Sequence, residues 1–169
     1  MKKYYFIVLL SFSVNLLYAQ HHSHGFSESG NKIKALTSEQ INGYLTGEGM
    51  GLAKVAELNH YPGPKHVLDL AEKLNLTQSQ IDSTKKIFNS MKEKAVRIGE
   101  IIVEKEKLLD QLFNNNKADE ESVEILVNEI AQYQGELRLA HIKAHIQQKS
   151  ILTPEQISLY DKLRGYASN

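Results

Sequence analysis

The chain has 169 residues, with twenty Lys and Arg balanced by twenty Asp and Glu, seven His and no Cys. That balance leaves no broad basic surface for nucleic acid and no strong pull towards an anionic membrane. Without Cys there is neither a disulfide nor a thiolate ligand, so stability rests on packing and any metal must be held by His, carboxylate or Met.

Residues 1–19 read as a secretory signal peptide, cleaved near Ala19. Lys2 and Lys3 form a positive start, Tyr4 to Leu17 is largely apolar, and small Ala19 stands at the cleavage edge with Leu17 at the minus-three position. An uncleaved membrane anchor fits less well, because the apolar run is short and Ser11, Ser13 and Asn15 interrupt it. No Cys follows the leader, so no lipid anchor is expected. Loss of Lys2 and Lys3 leaves a formal charge of −2 with His neutral. The remaining chain of about 150 residues is long enough for one domain with a modest core.

Residues 20–35 are polar, contain Gly and Ser, and lack apolar periodicity, which predicts a mobile tail. Short helices are expected over 37–46 and 50–58, on either side of the Gly47-Glu48-Gly49 break. His60-Tyr61-Pro62-Gly63-Pro64 predicts a turn, and Pro64 suits the first position of a helix running to about Leu74. Residues 78–113 carry the clearest pattern. Ile81, Phe88, Ala95, Ile102 and Leu109 recur at heptad spacing, as do Thr84, Met91, Ile98, Lys105 and Leu112, with Ile87, Ile101 and Leu108 expected to widen the apolar face. Such a helix would be roughly 54 Å long.

Asn114-Asn115-Asn116-Lys117 should end it, and a second long helix should follow from about Asp119, with Val123, Ile130, Leu137, Ala144 and Ile151 on one seam. So short a connection requires an antiparallel hairpin. A last helix is expected from Pro154 to near Gly165, its inward face Ile157, Tyr160 and Leu163. No strand pattern competes, and the predicted fold is all-α: a long helical hairpin with short helices at both ends.

One phrase occurs twice, as Leu76-Thr77-Gln78-Ser79-Gln80 and Leu152-Thr153-Pro154-Glu155-Gln156. In each, the Thr can cap the helix by accepting from the backbone three residues on, while the Gln reaches back to the Thr N–H. Thr77 with Gln80 and Thr153 with Gln156 are therefore expected capping boxes, each worth about 1 kcal/mol. Thr37 with Gln40 is a candidate third. Two such phrases bracketing a pair of long helices behind a signal peptide resemble the LTxxQ family of periplasmic proteins, over roughly residues 36–165. One branch of that family holds Spy/CpxP-like envelope-stress chaperones and signalling repressors, and the other holds heavy-metal-resistance sensors. The resemblance implies a periplasmic homodimer of crossed helical hairpins.

His141 and His145 fall at i and i+4 on the second long helix, with Cβ atoms about 5–6 Å apart, close enough to share one ion. A third ligand must come from elsewhere: hairpin register offers Met91 or Glu93 as candidates, while Met91, like Phe88 and Tyr133, reads most simply as a core residue. The blander alternative is a pair of polar residues at the edge of the seam. In the metal-sensing branch a His-x-x-x-Met pair lies on the helix before the final LTxxQ helix. His141 matches its first position, and His145 stands where that branch has Met. His21, His22 and His24 lie just behind the expected cleavage point, either as a spacer or as a looser site, with Cu(II) or Ni(II) held through a free Gln20 amine.

No zinc-protease His-Glu-x-x-His, nucleophile elbow or phosphate loop appears, and no carboxylate pair stands out. The expectation is a non-enzymatic protein that binds a divalent transition metal (Zn, Cu, Ni or Co) in metal sensing or envelope protection. The alternative is an ATP-independent chaperone for unfolded clients, and a membrane-bound regulator is a further candidate partner.

Overall fold

The computed structural model describes residues 33–166, so the expected signal peptide and His21, His22 and His24 lie outside the described residues. The described chain forms six helices and no strand: α1 Ser38–Thr46, α2 Lys54–Glu57, α3 Pro64–Asp69, α4 Gln78–Asn114, α5 Glu120–Lys149 and α6 Pro154–Arg164. No helix among these residues is long and apolar enough to cross a membrane.

Helix starts follow local chemistry. Thr37, Thr77 and Thr153 each cap a helix with a complete capping box, to Gln40, Gln80 and Gln156 respectively. Asp119 caps α5 by accepting from the Ser122 N–H at 2.9 Å, and Glu120 and Glu121 add negative charge where the helix dipole favours it. The connection after α4 passes through Asn116 at φ 53, a left-handed conformation that Asn tolerates better than most residues.

Two core clusters organise the packing. In one, Ala95, Ile98 and Ile102 of α4 meet Leu137 of α5, with Tyr44, Leu52, Met91 and Tyr133 packed around them. The long helices touch all along this line: Gln148 donates to Thr84 Oγ1 at 3.1 Å, and Lys105 pairs with Glu129 at 2.7 Å. Early α4 thus faces late α5. Helix α1 reaches α4 where buried Gly99 lies under the Tyr44 carbonyl, so close that any Cβ at position 99 would collide with backbone. The second cluster joins Val67, Leu74, Leu152 and Tyr160, flanked by Leu70, Leu76, Ile157 and Tyr166. Both leucines of the repeated phrase belong to it, and Leu152 and Ile157 stand at the two positions of a hydrophobic staple.

The two phrases also join each other. Gln80 Oε1 accepts from the Thr77 N–H at 3.0 Å, while Gln80 Nε2 donates to Gln156 Oε1 at 2.8 Å and to the Ile151 carbonyl at 3.0 Å. Gln156 mirrors this, with Oε1 accepting from the Thr153 N–H at 3.0 Å and Nε2 donating to Gln80 Oε1 and the Leu74 carbonyl, both at 3.2 Å. Each amide therefore closes its own cap and bridges to the other. A Glu would serve the box but could not donate.

Several expectations need correction. Ile33 is buried and the Lys34 N–H donates to Asp110 at 3.0 Å, so these residues at the end of the segment 20–35 pack into the fold and are not a free tail. The second short helix is confined to Lys54–Glu57. The chain leaves α3 at Leu70, with φ −107, and Asn75 takes φ 49, so buried Leu74 enters the core from a turn. Ile101 and Leu108 are exposed, because the buried face of α4 widens towards Gly99 and α1 instead. Leu163 is exposed as well, and Asp161 is buried beside Tyr160 in its place.

The amide bridge predicts an asymmetry between boxes that look alike in sequence. Gln80→Glu removes both donors and should lower unfolding free energy by about 2–3 kcal/mol. Gln40→Glu, in the exposed third box, should change it by less than about 0.5 kcal/mol. Urea unfolding of the two variants checks this, and equal midpoint shifts would mean that the bridge adds nothing.

Candidate functional site

The i, i+4 spacing places His141 and His145 on the buried side of α5, where they are 4% and 9% exposed, not at the edge of the seam. Both line a cavity of about 540 Å³. Met91 of α4, Met50 of the α1–α2 connection, Glu57 of α2 and His66 of α3 line it too. Met91 thus lines the same cavity as the His pair while also packing against the α4–α5 core cluster. Glu93 is not there: its carboxylate is solvent-exposed and paired with Arg97 at 2.6 Å.

The two imidazoles are held differently. His145 Nδ1 lies 2.8 Å from the Tyr61 carbonyl, which can only accept, so Nδ1 carries the proton and donates. In the neutral ring this leaves the Nε2 lone pair free. The edge of that ring sits beneath Gly63, where an added Cβ would stand 2.9 Å from Cε1 and 3.1 Å from Nε2. His141 Nε2 is buried and has no hydrogen-bond partner among the described residues. Leaving such a nitrogen unsatisfied costs about 1–3 kcal/mol, which singles it out for explanation.

Burial sets the charge state of both rings. Desolvation, followed by the nearby His145, pulls His141 down from its ordinary value to about 4. His145 is also lowered by desolvation, partly offset by its bond to Tyr61. Both are therefore neutral near pH 7, the form in which imidazole binds a metal.

The wall over His145 is fixed from α6. Tyr160, fully buried, donates its hydroxyl to Glu57 and accepts from the Gly63 N–H at 3.4 Å. Arg164 approaches Glu57 at 3.4 Å, and burial together with Glu57 raises the Tyr160 pKa. Tyr61 is also covered by Lys149, whose Nζ lies 3.8 Å from the ring centre. His60 points elsewhere, with Nδ1 2.7 Å from Asp161, and half-exposed His66 sits 3.6 Å from Asp69. Thr77, Gln80, Thr153 and Gln156 lie in the cap bridge and contribute structure to the site at a distance.

Among the described residues no group of three or more His, Cys, Asp or Glu side chains is placed to hold an ion together. Three imidazoles and two thioethers line the cavity, and with His66 turned to Asp69 and Glu57 committed to Tyr160 and Arg164, the donors left to one another are His141, His145, Met50 and Met91. The sequence signals missed were Met50, concealed in a glycine-rich break, and the Tyr61 carbonyl with Gly63, whose proximity to α5 depends on tertiary packing.

A neutral buried His predicts acid sensitivity. Because the folded pKa of His141 lies below its unfolded value, its contribution to stability is complete above about pH 6.5 and fades as pH falls towards 4, a loss of up to about 3 kcal/mol. Urea unfolding of metal-free protein between pH 7 and pH 4.5 should show this decline, and His141→Gln should flatten it. An unchanged slope in the variant would contradict the assignment.

No family model, curated protein or solved structure matches the chain.

Proposed function

We propose that this is an exported, non-enzymatic protein that binds a transition-metal ion between α5 and the α1–α3 segment, in metal sensing or metal resistance at the bacterial cell envelope. The observation that supports this reading is the pair of buried, neutral imidazoles whose residues line one cavity, one of them with an orphaned Nε2 buried behind its wall. A bound ion would satisfy that nitrogen and draw α5 towards the Gly63 turn and the Gly47–Gly51 connection. It would thereby stabilise one conformation by its differential affinity for that state. The resemblance to LTxxQ proteins supports the same reading, as does the pairing of the two phrases. Under it, the long helices form a hairpin that crosses a second copy. Ile125, Leu139 and Ile146, exposed at 54%, 47% and 53% and separated by multiples of seven, supply an apolar stripe for that contact. His21, His22 and His24 add a looser second site, and a membrane-bound regulator is the partner that would read the metal state.

The same exposed stripe favours a second reading, an ATP-independent chaperone that holds unfolding clients against apolar side chains. Calorimetric titration with Zn(II), Cu(II), Ni(II) and Co(II) separates the two. Wild-type protein should bind at least one ion more tightly than roughly 0.1 mM, about −5.5 kcal/mol. His141→Ala/His145→Ala should lose that binding while retaining its helical circular dichroism, and His21→Ala/His22→Ala/His24→Ala should keep it. Absence of binding, with client aggregation suppressed in metal-free buffer, would overturn the metal reading in favour of the chaperone.

A further inference from the structure

The chain contains three Met and no Cys, and Met1 lies outside the described residues. The other two, Met50 and Met91, both line the cavity that holds His141 and His145. They come from separate elements: Met91 lies on α4, and Met50 lies between Gly49 and Gly51 in the α1–α2 connection. Met50 adopts φ 42, a left-handed conformation uncommon for residues other than Gly, Asn and Asp. Its sulfur rests against α1 at Gly43, where an added Cβ would stand 2.5 Å from Sδ. The left-handed backbone and the missing side chain of Gly43 hold Met50 against α1 at the rim of the cavity, where it remains 41% exposed.

The hard donors are occupied or peripheral. Glu57 is committed to Tyr160 and Arg164, Glu48 is exposed, and the third imidazole of the lining, His66, is turned to Asp69 at 3.6 Å. Lys54, Lys65 and Lys92 also line the cavity, so acids do not outnumber bases around it. A dication gains most from carboxylates, which this wall does not offer freely. A soft monovalent ion is stabilised by thioethers and neutral imidazoles without needing compensating negative charge.

We propose that the cavity is a soft-metal site selective for Cu(I), with His141 and His145 as imidazole donors and Met50 and Met91 as thioether donors. The proposal rests on the metal-binding reading of this cavity and specifies its ion. Thioether ligands are what separate Cu(I) from Zn(II), since imidazole serves both. Met50 would link the α1–α2 connection to α5 through the ion.

The test is anaerobic competition of Cu(I) against bicinchoninate, with Ag(I) as a redox-inert probe and Zn(II) against a chromophoric chelator. It uses protein carrying His21→Ala/His22→Ala/His24→Ala, so that only the cavity is read. Cu(I) should bind at least about 100-fold more tightly than Zn(II). Met91→Leu and Met50→Leu, near-isosteric changes, should each weaken Cu(I) and Ag(I) by about tenfold or more and leave Zn(II) unchanged. Copper-edge X-ray absorption of the loaded protein should show sulfur neighbours, a readout independent of the variants. Zn(II) held as tightly as Cu(I) through His141 and His145, or copper with only nitrogen neighbours, would overturn this proposal and leave the metal reading standing. No binding of any ion would overturn both.

Discussion

The paired amides of Gln80 and Gln156 fix the start of α4 to the start of α6, and the remaining contacts of the site follow from that bond. A capping box satisfies orphaned N–H groups at one helix end. Here the spare amide hydrogens of each Gln are used a second time, across the fold, on the other Gln and on the carbonyls of Leu74 and Ile151. The leucines that precede the two caps bury themselves in one cluster beside this bridge. With α6 so placed, Tyr160 meets Glu57 and Gly63, and the turn from Tyr61 to Gly63 settles over His145. The chemistry of the site is thus positioned by a motif that does not line it.

Two imidazoles inside a helical core are an expensive choice. Apolar residues of similar size would give a more stable protein, because no described residue bonds His141 Nε2 and desolvation opposes protonation of either ring. Retaining both as neutral donors beside an open cavity makes sense when a ligand completes their bonding. The Tyr61 carbonyl contributes by selecting the tautomer of His145, as the outer partner of a metal-bound imidazole does. Thr84 and Gln148 form a further buried polar pair one turn along α5, so polar burial on this helix face extends beyond the histidines.

Much of the architecture was legible in the sequence because it is encoded locally. Caps at Thr37, Thr77 and Thr153 and the heptad seams through Ala95, Ile102, Ile130 and Leu137 need only neighbours within a few turns. The two capping glutamines were legible as caps but not as a bridge, since a box is the same whether or not its amide finds a distant partner. Periodicity also misassigned Ile101, Leu108 and Leu163. It shows that a face is apolar without saying which flank a neighbouring helix covers, and α1 selected the flank bearing Gly99. At the site, His141 and His145 were visible through their spacing, and Met91 through register. Met50 was invisible because its place follows from a left-handed turn and the missing side chain of Gly43.

The central claim is that the fold holds two neutral imidazoles with nitrogen lone pairs reserved for a metal. Long-range proton–nitrogen NMR of histidine-labelled protein at pH 7, before and after one equivalent of Ag(I), tests it most directly. The account predicts a neutral His145 protonated at Nδ1 and a neutral His141 in the metal-free protein, with large shifts of the Nε2 resonances of both when Ag(I) is added. Protonated rings at pH 7, or Nε2 resonances of His141 and His145 that ignore the ion, would contradict it.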